Sequence, residues 1–170
     1  MEIVIKRRED VSDEDNQIIL KLVHETFGDM VNKYEWAKPD WRLIGKIDNE
    51  ISCCLELMER RVLAGDTQVK VAGIGNVITP PSFRGKGLAG KAMTEAMKFA
   101  KTQMEVDFGL LLCSEDLVPY YKKLGWELVN ETLFFEQSTG RIKWWERVMV
   151  FPCTEKHWPT GEVDLCGAAW

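Results

Sequence analysis

The stretch from Arg84 to Gly90 is the part of this chain whose residue types and spacing are best suited to chemistry. Its sequence, RGKGLAG, holds three glycines, and small or apolar residues then recur at helical spacing from Ala89 to Ala100. The loop therefore lies at the N-terminus of a helix, where backbone N–H groups lack partners and the positive end of the helix dipole is exposed. Glycines let an anion approach such amides closely. The sequence predicts a phosphate-binding loop.

Three other interpretations of this loop have to be weighed. Its glycines also match the dinucleotide fingerprint G-x-G-x-x-G, but that motif follows its strand directly, whereas Thr79–Arg84 intervenes here. The P-loop pattern nearly fits, but Ala92 stands where a hydroxyl would bind Mg²⁺. The structural alternative is a glycine-rich turn that only starts a surface helix.

Two motifs carry a family resemblance. Arg84–Ala89 matches [Q/R]-x-x-G-x-[G/A] after a strand and a proline, and Tyr120–Trp126 is similar to F-Y-x-x-x-G-[FW], with Tyr120 in the Phe position. The chain thus resembles the GCN5-related N-acetyltransferase (GNAT) superfamily, whose loop holds the pyrophosphate of acetyl-coenzyme A. The resemblance implies an α/β fold, with a central mixed, mostly antiparallel twisted sheet flanked by helices, in a single domain over residues 1–170.

The elements that must position these motifs are predicted from periodicity and turn residues. Ser12 begins the first helix and Gly28 ends it. A second helix covers residues 89–100, and a third runs from Leu117 to Leu124. Strands are predicted at Glu2–Lys6, Trp41–Ile47, Ile51–Leu63, from Val69 to near Ile78, at Phe108–Cys113, and in a last hairpin of Trp126–Gln137 and Ile142–Phe151.

The resemblance also implies roles for individual residues. The strand near Val77 would pair with the pantetheine arm of acetyl-CoA, and the backbone N–H of Val77 or Ile78 would stabilise the oxyanion. Tyr121 would be the general acid, because a phenol with a pKa of about 10 is protonated at neutral pH. The predicted cofactor-binding residues are Val77, Ile78, Thr79, Arg84, Gly85, Lys86, Gly87, Leu88, Ala89, Gly90 and Tyr121.

The general base and the nucleophile are less clearly marked. Glu56 is the candidate base on a strand, and Glu35 and Asp29 are candidates from the loop before Trp41; the alternative for each is a solvated surface acid. A covalent cysteine route is disfavoured, because Cys113 ends a buried run and buried thiols are usually inert.

The acceptor side is predicted from two segments. Asp29, Glu35 and Trp36 lie in the segment that covers the acceptor pocket in the family. The tail, which ends at Trp170, is similar to the Trp-terminated tail of aminoglycoside 2'-N-acetyltransferases. That group has an acid where this chain has Ala168, and its candidate base corresponds to Gly75 here. The hypothesis is that Glu162, Asp164 and the carboxylate of Trp170 help line an acidic acceptor pocket; the alternative is a tail packed over the sheet.

Composition sets limits on partners. The 170 residues are 45% hydrophobic and 29% charged, which suits one compact domain, and the net charge of −5 argues against a nucleic-acid or anionic-membrane binder. No apolar run is long enough for a membrane span. The five cysteines include no C-x-x-C pair, so no metal site is predicted and a cytoplasmic setting is favoured.

The resulting functional prediction is an acetyl-CoA-dependent N-acetyltransferase that transfers acetyl directly to a primary amine of a small cationic acceptor. Aminoglycosides are the leading example. A protein or peptide amine as the acceptor, and a non-catalytic coenzyme A sensor, are the alternatives. A homodimer is compatible with the sequence.

Overall fold

The computed structural model describes all 170 residues, which form ten strands and four α-helices joined by short turns. The helices are α1 (Asp13–Phe27), α2 (Met30–Lys33), α3 (Leu88–Phe99) and α4 (Val118–Lys123). The strands are β1 (Glu2–Arg7), β2 (Trp41–Ile47), β3 (Glu50–Ala64), β4 (Thr67–Ile78), β5 (Phe108–Cys113), β6 (Glu127–Val129), β7 (Leu133–Gln137), β8 (Gly140–Lys143), β9 (Arg147–Pro152) and β10 (Val163–Asp164). None of the helices combines the length and the apolar run that crossing a membrane requires.

All ten strands belong to one sheet. The main path is β6-β9-β5-β4-β3-β10-β7-β8, and β1 and β2 attach to the remaining part of β3. One edge of β3 pairs with β2 as far as Leu57. Beyond the end of β2, the same edge pairs with β10 at Leu63 and Ala64. Only β4–β5 and β10–β7 are parallel pairs. The predicted mixed, mostly antiparallel sheet flanked by helices is confirmed.

Local signals account for the first half of the fold. Ser12 Oγ accepts a hydrogen bond from the Asp15 amide at 3.2 Å and begins α1, and Gly28, with φ +54°, ends it. Asp48 and Asn49 both have positive φ and connect β2 to β3 as a two-residue hairpin. The two predicted ends of the first helix are confirmed.

The helix that follows the glycine-rich loop packs closely on the sheet. One face of α3 is buried in the core and consists of Leu88, Ala92, Met93, Ala96 and Met97. A Cβ at Gly109 on β5 would lie 2.6 Å from Met97 Sδ, so the absent side chain lets the helix approach. This packing fixes where the N-terminus of α3 points.

The last third of the chain differs from the prediction. The prediction of one long hairpin formed by Trp126–Gln137 and Ile142–Phe151 is wrong, since β7 pairs with β8 while β9 pairs with β5 and β6. The chain leaves the ladder at Trp144, whose amide bonds Leu133 O at 2.8 Å and whose ring packs on Phe135. The tail also enters the sheet as β10, with Val163 fully buried.

Candidate active site

The candidate site lies where β4 and β5 separate. These parallel strands are paired as far as Ile74 opposite Leu111. Beyond that point β4 continues along β3, and β5 continues along β9. A cavity of about 500 Å³ opens beside this gap. The side chains that line it are Val23, Thr26, Phe27, Met30, Val31, Trp36, Ala37, Glu56, Ile74, Gly75, Asn76, Val77, Leu111, Leu112, Cys113, Ser114, Leu117, Tyr121, Trp144, Trp145, Glu146 and Trp170.

A bulge interrupts β4 at the wall of the cavity. Asn76 has φ +49°, and the register between β3 and β4 shifts between Cys54 and Glu56. Asparagine is one of the few residues that tolerate this left-handed backbone. A bulge bends its strand and redirects the amides beside it. Val77, which follows Asn76, lines the cavity.

A buried polar network holds this bulge. Asn76 Nδ2 donates to Glu56 Oε2 at 2.6 Å, and Arg42 Nε donates to Glu56 Oε1 at 2.8 Å. Arg42 also donates to Asn16 Oδ1, and Asn16 Nδ2 donates to Val11 O at 3.0 Å. Arg42 and Glu56 are only 5% and 7% exposed. Both oxygens of the predicted base Glu56 are therefore already occupied, although the residue does line the cavity.

The glycine-rich loop presents a run of free amides. Arg84 N bonds Pro81 O at 3.3 Å, and the next amide with a protein acceptor is Lys91 N, which bonds Gly87 O at 3.2 Å. The six amides of residues 85–90 thus have no acceptor within the chain. Gly85 and Gly87 are exposed and have φ of +75° and +70°, and a Cβ at either would meet open space. This is the geometry of an anion-binding helix N-terminus.

The side chains of the loop leave those amides open. Arg84 Nε folds back onto Thr79 O at 3.0 Å, and Lys86 Nζ donates to Ser82 O at 3.2 Å. The Leu88 side chain is buried in the core. Both cationic groups therefore add positive charge beside the loop without covering its backbone.

Two tyrosines of α4 stand beside this loop and the cavity. Tyr121 is buried and lines the cavity, and burial, followed by Cys113 and Tyr120, raises its pKa above the ordinary value. It is therefore a protonated phenol at neutral pH, the form that a general acid needs. The Tyr120 hydroxyl is buried without a partner and would lie 3.8 Å from a Cβ at Gly90.

Cys113 is the one thiol that lines the cavity. Burial, followed by the charges of Glu146, Asp116 and Glu115, raises its pKa to about 11. The thiolate is the nucleophilic form, so this side chain is inert at neutral pH.

An aromatic wall borders the cavity; we use that name for Tyr34, Trp36, Phe135, Trp144 and Trp145. Trp145 stacks on Tyr34 with ring centroids 5.0 Å apart and on Trp144 at 4.1 Å. Phe135 contacts Tyr34, Trp144 and Trp145, and Trp36 Nε1 donates to Val31 O at 3.1 Å. Trp36, Trp144 and Trp145 line the cavity, and the other two rings support them from behind.

Trp170 lies across β4 at the cavity. A Cβ at Gly73 would be 2.3 Å from Trp170 Cε2, and a Cβ at Gly75 would be 3.3 Å from its carbonyl carbon. Arg60 lies over the Trp170 ring at 5.2 Å and donates to Ala168 O at 2.5 Å. The two glycines of β4 therefore make the space that this residue fills.

The structure does not bring four of the predicted acceptor residues to the cavity. Glu162 and Asp164 bond Arg141 at 3.4 and 2.8 Å, because β10 places them beside β7 and β8. Glu35 is held outside, where its backbone exchanges two 2.8 Å hydrogen bonds with the Gln137 side chain. Asp29 precedes α2 and is exposed. Of the predicted acceptor residues, only Trp36 and Trp170 line the cavity.

Among the residues that line the cavity, sequence reasoning gave no site role to Asn76, Trp144, Trp145 or Glu146. Burial, followed by Asp116, raises the pKa of Glu146, whose carboxylate no group of the chain binds. Asn76 did carry a signal, since asparagine inside an apolar strand favours a bulge with positive φ. No local signal marked Trp144, Trp145 and Glu146, because the bend of the chain after β8 directs them to the cavity.

Comparison with known proteins identifies a family. The model of the acetyltransferase (GNAT) domain matches residues 8–129, which is most of the chain. No curated protein matches the sequence.

Solved structures show the same fold. The chain is similar to ElaA of Escherichia coli, with a TM-score of 0.64 and 16% identity over 88% of this chain and 98% of that one. YhbS of E. coli, solved in complex with CoA, is similar with a TM-score of 0.64 and 13% identity over 96% of this chain and 89% of that one. A GNAT family acetyltransferase from Brucella melitensis, solved in complex with acetyl-CoA, is similar with a TM-score of 0.60 and 15% identity over 95% of this chain and 94% of that one.

These findings confirm the predicted fold, and at the level of the family they confirm an acetyltransferase that uses acetyl-CoA. With a family model that spans most of its length, this chain belongs to the GNAT acetyltransferase family.

Proposed function

We propose that this chain transfers the acetyl group of acetyl-CoA directly to the primary amine of a small cationic acceptor. The observation that carries the proposal is the run of six unbonded amides at residues 85–90, which follows the strand that borders the open gap in the sheet. Those amides would bind the pyrophosphate, and β4 beyond Ile74 would guide the pantetheine arm along an edge that β5 has left free.

Acetyl-CoA supplies, when bound, a thioester whose carbonyl carbon the amine attacks and whose thiolate departs. The amide of Val77 or Ile78, next to the bulge, donates to the carbonyl oxygen as negative charge develops there. One such donor stabilises the transition state by about 2.7–4 kcal/mol. The ammonium of the acceptor first loses one proton to solvent, so that the free amine attacks. Tyr121 gives its proton to the departing sulfur, and the second proton, which the nitrogen loses after the attack, passes through solvent to the Tyr121 phenolate and restores the acid.

Glu56 has a positioning role in this proposal, in place of the base role predicted from sequence. Both of its carboxylate oxygens already accept hydrogen bonds, from buried Arg42 at 2.8 Å and from Asn76 at 2.6 Å. It instead fixes Asn76 and with it the amide of Val77. Direct transfer is favoured over a covalent route because the Cys113 thiol stays protonated, with a pKa of about 11.

The acceptor class follows from the charges at the cavity. Glu56 and Glu146 carry the only charged side chains that line it, so a cationic amine is attracted and an anion is repelled. An aminoglycoside is the acceptor that the tail resemblance suggests, but the tail acids that would bind it are paired with Arg141.

The test is a thiol-release assay with acetyl-CoA against aminoglycosides, polyamines, amino acids and lysine peptides. We expect release with at least one small amine. Tyr121→Phe should lower kcat about 10²-fold or more while the Kd for CoA stays unchanged. The matched control is Tyr120→Phe, which removes a hydroxyl that has no partner and should leave kcat unchanged.

Two results would favour the alternatives. Faster acetylation of lysine peptides than of every small amine would make a peptide the acceptor. Tight CoA binding without release for any amine would indicate a sensor. Equal losses in the two tyrosine variants would refute the role of Tyr121.

A further inference from the structure

The lining of the cavity is largely apolar. Sixteen of the 22 residues that line it are hydrophobic, and none is Lys, Arg or His. Of its two carboxylates, Glu56 is engaged by Arg42 and Asn76. Glu146 is therefore the only charged side chain at the cavity that is free to meet a ligand.

The apolar side of the cavity consists of aromatic rings that pack on one another. In the aromatic wall, Trp144 and Trp145 lie 4.1 Å apart between centroids, with Tyr34 stacked behind Trp145 at 5.0 Å. Trp36 is fixed by its 3.1 Å hydrogen bond to Val31 O. A flat ring can be buried against such a surface without ordering flexible side chains.

We infer that the acceptor is a monoamine with a flat apolar body, such as an arylalkylamine, whose ring packs on the aromatic wall and whose ammonium is drawn in by Glu146. The inference rests on the proposed function and narrows its substrate class. It joins two features of one cavity, a surface of packed aromatic rings and a single acidic side chain without a partner.

The same features act against the other amine classes. The carboxylate of an amino acid would enter a cavity that has no cationic side chain, and a buried anion without a partner is strongly disfavoured. An aminoglycoside would bury many hydroxyl and ammonium groups against hydrophobic walls, and each unpaired group weakens binding. A butylamine chain would enter but leave the aromatic surface largely uncovered.

The experiment measures kcat/KM for matched amines by thiol release. 2-Phenylethylamine and phenylalanine differ only in the carboxylate, and we expect the amine to be favoured roughly 100-fold or more. 2-Phenylethylamine and butylamine share the amine but not the ring, and we expect a preference of at least about tenfold. Kanamycin and a lysine peptide complete the series and should be poor acceptors.

Two variants tie this preference to the cavity. Trp145 is 44% exposed, so Trp145→Ala should fold, and it should lower kcat/KM for 2-phenylethylamine about tenfold with a smaller effect on butylamine. Glu146→Gln should lower kcat/KM for both amines to a similar extent. The controls are Leu63→Ala, a comparably exposed apolar residue outside the cavity, and Glu155→Gln, an exposed acid of the tail.

The outcomes separate the inference from the proposed function. Equal or faster turnover of kanamycin, phenylalanine or the lysine peptide would overturn the inference and leave acetyl transfer standing. An unchanged ratio of the two amines in Trp145→Ala would also overturn it. Absence of thiol release with every amine, although CoA binds, would reject the proposed function and the inference together.

Discussion

The buried pair of Arg42 and Glu56 offers a quantitative test of how the bulge in β4 is held. Glu56→Gln keeps the shape of the side chain and removes its charge. The guanidinium of Arg42, 5% exposed, then loses its only charged partner. The new amide can accept from Arg42 or from Asn76 through its one oxygen, so one of the two hydrogen bonds of 2.8 and 2.6 Å is lost.

Removing one partner of a buried pair costs about 3–5 kcal/mol. Since the substituted amide still accepts one hydrogen bond, we expect the lower end, about 3 kcal/mol. In a chain of this length that lowers Tm by roughly 6–12 °C. Thermal unfolding followed by circular dichroism measures it, and kcat, taken well below Tm, should fall because Asn76 no longer fixes the amide of Val77.

The matched control is Glu25→Gln, which removes an exposed helical pair with Lys21 and should cost no more than about 0.5 kcal/mol. Arg42→Met combined with Glu56→Leu should recover much of the Tm, because no buried charge remains. It should not recover kcat, because Asn76 still lacks its acceptor. The reasoning is refuted if Glu56→Gln lowers Tm no more than Glu25→Gln does.

Three further predictions follow from other contacts. Gly73→Ala should destabilise the fold by about 1–3 kcal/mol in urea unfolding, because its Cβ would lie 2.3 Å from Trp170 Cε2; Gly75→Ala, with 3.3 Å to the nearest atom, should cost less. Intact-mass spectrometry after incubation with acetyl-CoA and no amine should find no acetyl group on Cys113, whose pKa of about 11 keeps the thiol protonated. Burial raises the pKa of Tyr121 above its ordinary value of about 10, so the phenol stays protonated up to at least that pH. The kcat should therefore show no alkaline loss due to Tyr121 between about pH 7 and 10. A fall in kcat near pH 8 that Tyr121→Phe abolishes would contradict this.

Features of the fold that depend on nearby residues could be predicted from the sequence. Ser12 and Gly28 mark the ends of α1, and the Asp48–Asn49 turn marks a hairpin, because each conformation is set within a few residues. Long-range features could not be predicted in this way. The pairing of β10 between β3 and β7 joins segments distant in sequence, and the bend at Trp144 depends on packing against Phe135.

The site divides in the same way. The loop at residues 84–90 could be predicted because glycine spacing before a helix is a local signal. The acceptor residues were predicted from the resemblance of two segments to the family, and such a resemblance does not say where an individual side chain points. Arg141, itself on β8, binds Glu162 and Asp164 outside the cavity, while Glu146 reaches it through the bend after β8.

The central claim is that the free amides of residues 85–90 bind the pyrophosphate of coenzyme A. Its most direct test is a ¹⁵N NMR titration of the chain with coenzyme A, compared with pantetheine, which lacks the pyrophosphate. The account predicts downfield shifts of the amides between Gly85 and Gly90 with coenzyme A and none of comparable size with pantetheine. Saturable coenzyme A binding that leaves these six amide resonances unmoved would contradict it.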